Sequence, residues 1–245
     1  MQYHGSSAYD QSVFLKAYLA RRHRPNSPNN LIERPIMLEL IGEITGKRVL
    51  DLGCGDGRFS ADLIERGCCF YEGVEGSLQM VQEAQAHIEA HSSSIQHISM
   101  EDWQPNEASV DLAVSRLAVH YLRDTHNLFT KVYHALREDG EWIFSVQHPL
   151  LTASMKSADI GGARTDWIVD DYFENGMRSE PWIGEQIVKY HRTIEDYIQG
   201  CLKAGFSILD LREGKPIKAL FEDEAEFARR LRIPLFLIIK CKKNP

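Results

Sequence analysis

Residues 49–60, VLDLGCGDGRFS, restrict the possible folds of this chain more than any other stretch. Apolar residues run into Asp51, glycine recurs at positions 53, 55 and 57, and a helical pattern follows. A strand that ends in a glycine-rich turn and feeds a helix opens a βαβ unit. Its turn is the natural ligand loop, because open α/β sheets bind ligands beyond the carboxyl ends of their central strands. Glycine there tolerates positive φ and lets backbone approach a ligand with no Cβ in the way.

The pattern downstream repeats this unit. RVLDL, CCFYEGVE, IQHISM, VDLAVS and EWIFSVQH read as strands. GRFSADLIERG, SLQMVQEAQAHIEAH and DTHNLFTKVYHALRE, the last ended by Asp139 and Gly140, read as helices between them. Short connections between alternating strands and helices imply right-handed crossovers and a parallel sheet covered on both faces. Residues 149–192 break the rhythm with Gly, Trp, Tyr and Asp in no clear period. Alternation resumes with RTIEDYIQGCLKAG, FSILDL, EDEAEFARRLR and IPLFLIIKCK. The first 47 residues hold helical spacing in SVFLKAYLA and LIERPIMLELIGEI and nothing strand-like. The expectation is one domain over 1–245, with a helical cap at 1–47 and an insert at 149–192 acting as a lid over an acceptor pocket.

Bulk properties narrow the function. The chain carries 28 Lys and Arg against 35 Asp and Glu, a net charge of −7, which argues against a bulk grip on nucleic acid. No apolar run approaches the ~20 residues of a membrane span, and MQYHGSSAYD is no signal peptide. Cys54, Cys68, Cys69, Cys201 and Cys241 form no CxxC pair, so they read as reduced thiols of a cytoplasmic protein without a metal site. His87 and His91 have metal-ligand spacing on a helix but no third ligand, and read as a solvated face. Arg21, Arg22 and Arg24 read as a solvated basic loop.

Three ligands compete for the glycine loop. A phosphate loop ends in Gly-Lys-Ser/Thr, which is missing here, and a dinucleotide loop ends in a glycine where this chain has Arg58. A phosphate-free nucleoside with an amino-acid tail fits better. A carboxylate at Asp51 accepts from an α-ammonium group, whereas it would repel phosphate. Glu75, 24 residues on at the end of the second strand, matches the two vicinal hydroxyls of a ribose with its two oxygens.

The segments VLDLGCGDG, GVEGSLQMVQEA, SVDLAVSRLAVHYL and LREDGEWIFSVQHP occur in the order and spacing of a class I S-adenosylmethionine-dependent methyltransferase. The chain resembles that family from about residue 30 to its last strand. It is similar to a bacterial branch in which SVQHP precedes an aromatic insert and a KYHRT segment. The resemblance implies a Rossmann-like, doubly wound, seven-stranded sheet of order 3-2-1-4-5-7-6, mostly parallel, with the last strand antiparallel and helices on both faces. It implies S-adenosylmethionine as cofactor and S-adenosylhomocysteine as product. Asp51, Gly53, Cys54 and Gly55 would hold the methionine end, Glu75 with Gly76 and Ser77 the ribose, and Met80 the adenine. The adenine amine would meet the segment ISMEDWQP. Relatives often carry an acid where this chain has Ser99, so Met100, Glu101 and Asp102 become the candidates. Ser115 and Arg116 would face the sulfonium and amino groups.

On the acceptor side, methyl transfer needs alignment and exclusion of water, and a base where the acceptor carries a proton. His148 or His120 is the expected base, with Tyr121 and His191 lining the pocket. Trp167, Tyr172, Phe173, Trp182 and Tyr190 supply either a pocket wall or the insert's own core. No NPPY-type motif appears, which disfavours amino-group methylation of nucleobases or glutamine. The expected acceptor is a small molecule. The alternatives are tRNA or protein methylation, and a non-catalytic cofactor-binding partner protein.

Overall fold

The computed structural model describes residues 2–88, 92–159 and 166–244, so His91 lies outside the described residues. Strand β1 (Gln2–Tyr3) leads to helices α1 (Ser12–Arg22) and α2 (Arg34–Ile41). The alternating part follows with β2 (Arg48–Leu52), α3 (Phe59–Glu65), β3 (Phe70–Glu75), α4 (Leu78–Gln85), β4 (Ser93–His97), β5 (Val110–Arg116), α5 (Thr125–Ala135) and β6 (Leu136–Gln147). Next come the short α6 (Pro149–Thr152) and α7 (Lys156–Asp159), then β7 (Gly176–Trp182) and β8 (Glu185–His191). The chain finishes with α8 (Ile194–Lys203), β9 (Phe206–Arg212), α9 (Glu224–Arg230) and β10 (Phe236–Lys243).

Seven strands form the main sheet in the order β4-β3-β2-β5-β6-β10-β9. Counted within that sheet alone, this is 3-2-1-4-5-7-6. Strand β10 runs antiparallel to both neighbours, and the remaining pairings are parallel. Strands buried on both faces read as continuous apolar runs, and period-two alternation assigns each residue to a face. In β6, Trp142, Phe144 and Val146 join the core under α5 and α8, whereas Ile143 points into the core under α2 and α3. In β2, Leu50 and Leu52 take the first face and Val49 the second, with Tyr71 of β3.

The ends of the helices follow from side-chain caps. Ser77 accepts from the Met80 N–H at the start of α4, and Asp124 accepts from His126 and Asn127 at the start of α5. Helix α5 stops at Ala135, short of the Asp139-Gly140 end that its sequence predicts. Leu136 already pairs in register with Val110 of β5, and sheet pairing overrides helical propensity there.

Two elements depart from the sequence expectation. Residues 176–191 form an antiparallel hairpin that turns through Ile183 and Gly184, both at positive φ. Strand β1, at the supposedly strand-free start of the chain, pairs parallel with β8 to complete a second, three-stranded sheet. The hairpin escapes the alternation rule because β7 mixes Arg178, Glu180 and Pro181 into a strand that packs one face on aromatic side chains.

The N-terminal segment is tied to the main sheet by polar contacts. Glu33 is fully buried, receives the Arg116 guanidinium through both oxygens and accepts from the Ser145 hydroxyl at 2.7 Å. The Arg116 guanidinium also lies 4.2 Å from the Phe59 ring centroid. Removing one partner leaves the other charge buried without compensation. Glu33→Ala should therefore lower stability by about 3–5 kcal/mol, read as a shift of the urea midpoint with unchanged slope.

Candidate active site

Strand β2 ends at Asp51 beneath the loop 53–57. The Gly53 and Cys54 N–H groups donate to the Val74 carbonyl at 2.8 and 3.1 Å, folding the loop back over β3. Gly53 has φ +73°, and a Cβ on it would stand 2.5 Å from that of Ala118. Gly55 has φ +60°, with open space where a Cβ would point. Its N–H donates to Glu75 Oε2 at 2.9 Å, while Ser77 N–H donates to Glu75 Oε1 at 2.8 Å. Glu75 thus braces the loop and keeps lone pairs on both oxygens for further donors. Burial pushes its carboxyl up, against the opposing pull of those N–H donors.

Asp51 is 2% exposed and faces the same side as Val49. Its Oδ2 accepts from the Tyr71 hydroxyl at 2.9 Å, and its Oδ1 has no hydrogen-bond partner. Burial pushes this carboxyl up to about 6, although the Tyr71 hydroxyl and the charge of Arg116 oppose the rise. A buried carboxylate oxygen with no donor is costly unless a ligand supplies one.

A cavity of about 530 Å³ opens from this loop. Asp51, Gly53, Cys54, Gly55, Glu75, Gly76, Met80, Met100, Glu101 and Arg116 line it, as do His120 and Tyr121. The structure sets the other expected site residues outside its walls. Ser77 is buried as the α4 cap, and its hydroxyl donates to Asp10 at 2.7 Å. The Ser115 hydroxyl donates to the Leu52 carbonyl at 2.8 Å, between strands. Asp102 lies exposed and accepts from Ser99 at 2.8 Å.

His148 and His191 also lie away from the cavity, and their rings are committed elsewhere. His148 accepts from the Leu150 N–H at Nδ1 and donates from Nε2 to Glu213 at 3.2 Å. His191 accepts from the Thr152 hydroxyl at 2.8 Å and donates to the Tyr172 carbonyl at 2.9 Å. Burial lowers the pKa of both. The reading of these two as bases gives way to a structural one, because every ring nitrogen already has a partner. Of the insert's aromatics, Trp167 and Trp182 reach the cavity. Tyr172 packs on His191, Phe173 is exposed, and Tyr190 lines a smaller cleft.

Several lining groups escaped sequence reasoning. Tyr9, Tyr18 and Arg22 come from the N-terminal helices, so Arg22 is a wall residue rather than part of a solvated loop. His23 donates to Asp56 of the glycine loop at 2.6 Å, and Arg22 lies 3.7 Å from the same carboxylate. Burial alone would raise the Asp56 pKa, but Arg22 and His23 outweigh it and hold it below the ordinary range. From β7 and β8, Glu180 and Lys189 form a buried ion pair on the cavity wall, and Lys189 also donates to Gln147 at 2.9 Å. The only signal for this pair was a lysine among apolar neighbours in QIVKYH. Leu117 adopts φ +54° beside the cavity, a strained conformation that tends to mark functional sites.

Comparison with known proteins agrees with this geometry. Residues 49–140 match the methyltransferase domain family. A crystal structure of a candidate S-adenosylmethionine-dependent methyltransferase from Listeria monocytogenes is 32% identical, with a TM-score of 0.78 over 87% of this chain and 97% of that one. An S-adenosylmethionine-dependent methyltransferase from Mesorhizobium loti is 29% identical, with a TM-score of 0.80 over 89% and 99%. The malonyl-[acyl-carrier protein] O-methyltransferase of Salmonella typhimurium is 29% identical over 57% of each chain. With its glycine loop, sheet order and likeness to these proteins, the chain belongs to the S-adenosylmethionine-dependent methyltransferases of class I.

Proposed function

We propose that the protein transfers the methyl group of S-adenosylmethionine to a small-molecule acceptor bound in the same cavity. One observation carries this reading. The residues fit to hold the cofactor and the aromatic wall from the cap and hairpin line a single enclosed space of about 530 Å³, within the range typical of small-ligand sites.

The residues present fit the cofactor. Asp51 Oδ1 is the unmatched acceptor that an α-ammonium group satisfies. The open side of Gly55 leaves room against the backbone, and Glu75 offers both oxygens to the ribose hydroxyls. Met80 and Met100, with Glu101, form the adenine end, and Arg22 is placed for the methionine carboxylate. Bound there, S-adenosylmethionine supplies a methyl carbon made electrophilic by its sulfonium. The chain's own task is to align the acceptor and keep water out. Tyr9, Tyr18, Trp182 and Tyr121 do the latter, with Tyr9–Tyr18 and Tyr18–Trp182 ring centroids 4.8 and 5.5 Å apart.

The small-molecule assignment draws support from the enclosure of the cavity by the cap and hairpin, and from the −7 net charge, which disfavours a polyanionic partner. Among the described residues no helix is long and apolar enough to cross a membrane. Five cysteines without disulfides suit the reducing cytoplasm.

Calorimetric titration with S-adenosylmethionine, S-adenosylhomocysteine and NADH tests the cofactor site. The first two should bind and NADH should not; the reverse pattern would overturn the assignment. Glu75→Ala should weaken S-adenosylhomocysteine binding by about 1–3 kcal/mol through lost charged hydrogen bonds, and unchanged affinity in a folded variant would remove Glu75 from the site. The raised pKa of Asp51 adds a pH dependence. Protonation removes the charge that attracts the ammonium, so affinity should be flat above pH 7. It should fall below pH about 6, approaching tenfold per unit. Asp51→Asn should bind more weakly and lose that slope. The same shift acts on folding with the opposite sense. The free protein holds the Asp51 proton more tightly than the unfolded chain, so this group's contribution to stability falls as pH rises through 4–6.

A further inference from the structure

We propose that the methyl acceptor is a carboxylate, drawn in by the arginines at the cavity mouth and converted to a methyl ester. The inference rests on the methyl-transfer reading above and names the acceptor class of that same site.

The proton balance of the site is the first argument. An alcohol, phenol or ammonium acceptor must lose a proton during transfer, and a group must be placed to take it. Among the described residues His120 is the cavity's histidine, and its Nδ1 accepts the Gln147 N–H at 3.4 Å. The ring proton of the neutral imidazole therefore sits on Nε2, which donates rather than accepts. Burial, with the nearby charges of Lys189 and Arg192, lowers its pKa well below the usual value and keeps it neutral. The other candidates are occupied. Glu180 is ion-paired with Lys189, Asp51 is bonded to Tyr71, and Glu75 holds two backbone N–H groups. A carboxylate acceptor needs no base. Its oxygen forms the new bond to the methyl carbon as the carbon–sulfur bond breaks. The bonding pair leaves on sulfur as the thioether, the anion and the sulfonium cancel, and no proton moves.

The second argument is charge. A chain of net charge −7 gathers Arg21, Arg24, Arg229 and Arg230 on one side of this cavity. Arg21 and Arg24 make no ion pair among the described residues, and Arg24 donates to the Arg21 carbonyl oxygen. The charge of Arg21 reaches Arg230, so the groups share one positive field. Guanidinium forks match carboxylates in geometry and raise the local concentration of anions. A cationic acceptor would meet the reverse situation. The aromatic faces of Trp182 and Tyr121 already look toward the chain's own ammonium, Lys189 Nζ, at 5.5 and 5.8 Å from their centroids.

The test uses methyl-labelled S-adenosylmethionine and a bacterial cell extract split by ultrafiltration, each fraction incubated with the intact protein. Methyl esters release labelled methanol in mild alkali, whereas methyl ethers and methylamines keep their label. The expected result is base-labile label in the small-molecule filtrate, at a rate independent of pH between 7 and 9. An Arg21→Gln, Arg24→Gln double variant, altered only at exposed side chains, should need about tenfold more filtrate for the same rate, with S-adenosylhomocysteine affinity unchanged. Base-labile label confined to the retained protein fraction keeps the carboxylate and overturns the small-molecule reading. Base-stable label, or none while S-adenosylhomocysteine binds, overturns the carboxylate. Equal rates in the double variant overturn the arginine mouth. Failure to bind S-adenosylhomocysteine overturns the reading beneath.

Discussion

Asp51 sits where a carboxylate is expensive, 2% exposed at the end of a central strand, with one oxygen bonded to Tyr71 and the other to nothing. Desolvation of that group is the cost around which the site is organised. Strand β2 must end there, so its neighbours β3 and β5 end there too, and the three carboxyl ends open the crevice. The loop that follows turns over the carboxylate with glycine backbone and is anchored to β3 through Val74 and Glu75. A ligand carrying a cationic amine resolves the unmatched oxygen, and the same placement disfavours phosphate.

The remaining walls arrive from distant sequence. Glu33 carries the N-terminal segment onto Arg116, His23 carries it onto Asp56, and Asp10 accepts from Ser77 at the start of α4. These contacts place Tyr9 and Tyr18 opposite Trp182 of the hairpin, while β1 joins β8 along its edge. The cap and the insert therefore behave as one cover built on two separated stretches. Their shared cluster of Phe14, Ile187 and surrounding aromatics is small beside the two cores of the main sheet. A small apolar interface is the kind that opens at modest free-energy cost.

The histidines show where local reasoning loses its hold. His120 and His148 both follow sheet strands, and from sequence they were equivalent. One ring reaches the cavity, whereas the other turns to cap α6 and reach Glu213. His191 stands on the same strand as Lys189, two residues on and so on the same face, yet it bonds Thr152 and Tyr172 in the insert's interior while Lys189 reaches the cavity wall. Strand twist and the packing of α6 decide between them, and neither is written in nearby residues.

Sequence alone determined the sheet, its strand order by resemblance, and the chemistry of the glycine loop. These depend on period-two burial, on short βα turns and on side chains at strand ends, all local properties of the chain. Glu75 and Asp51 were legible for the same reason. Only the tertiary structure decided which cations and aromatics face the ligand. Arg22, Lys189, Glu180, Tyr9 and Tyr18 come together through contacts between residues far apart in the chain. Such contacts are selected by packing and charge pairing in three dimensions, and no local period encodes them.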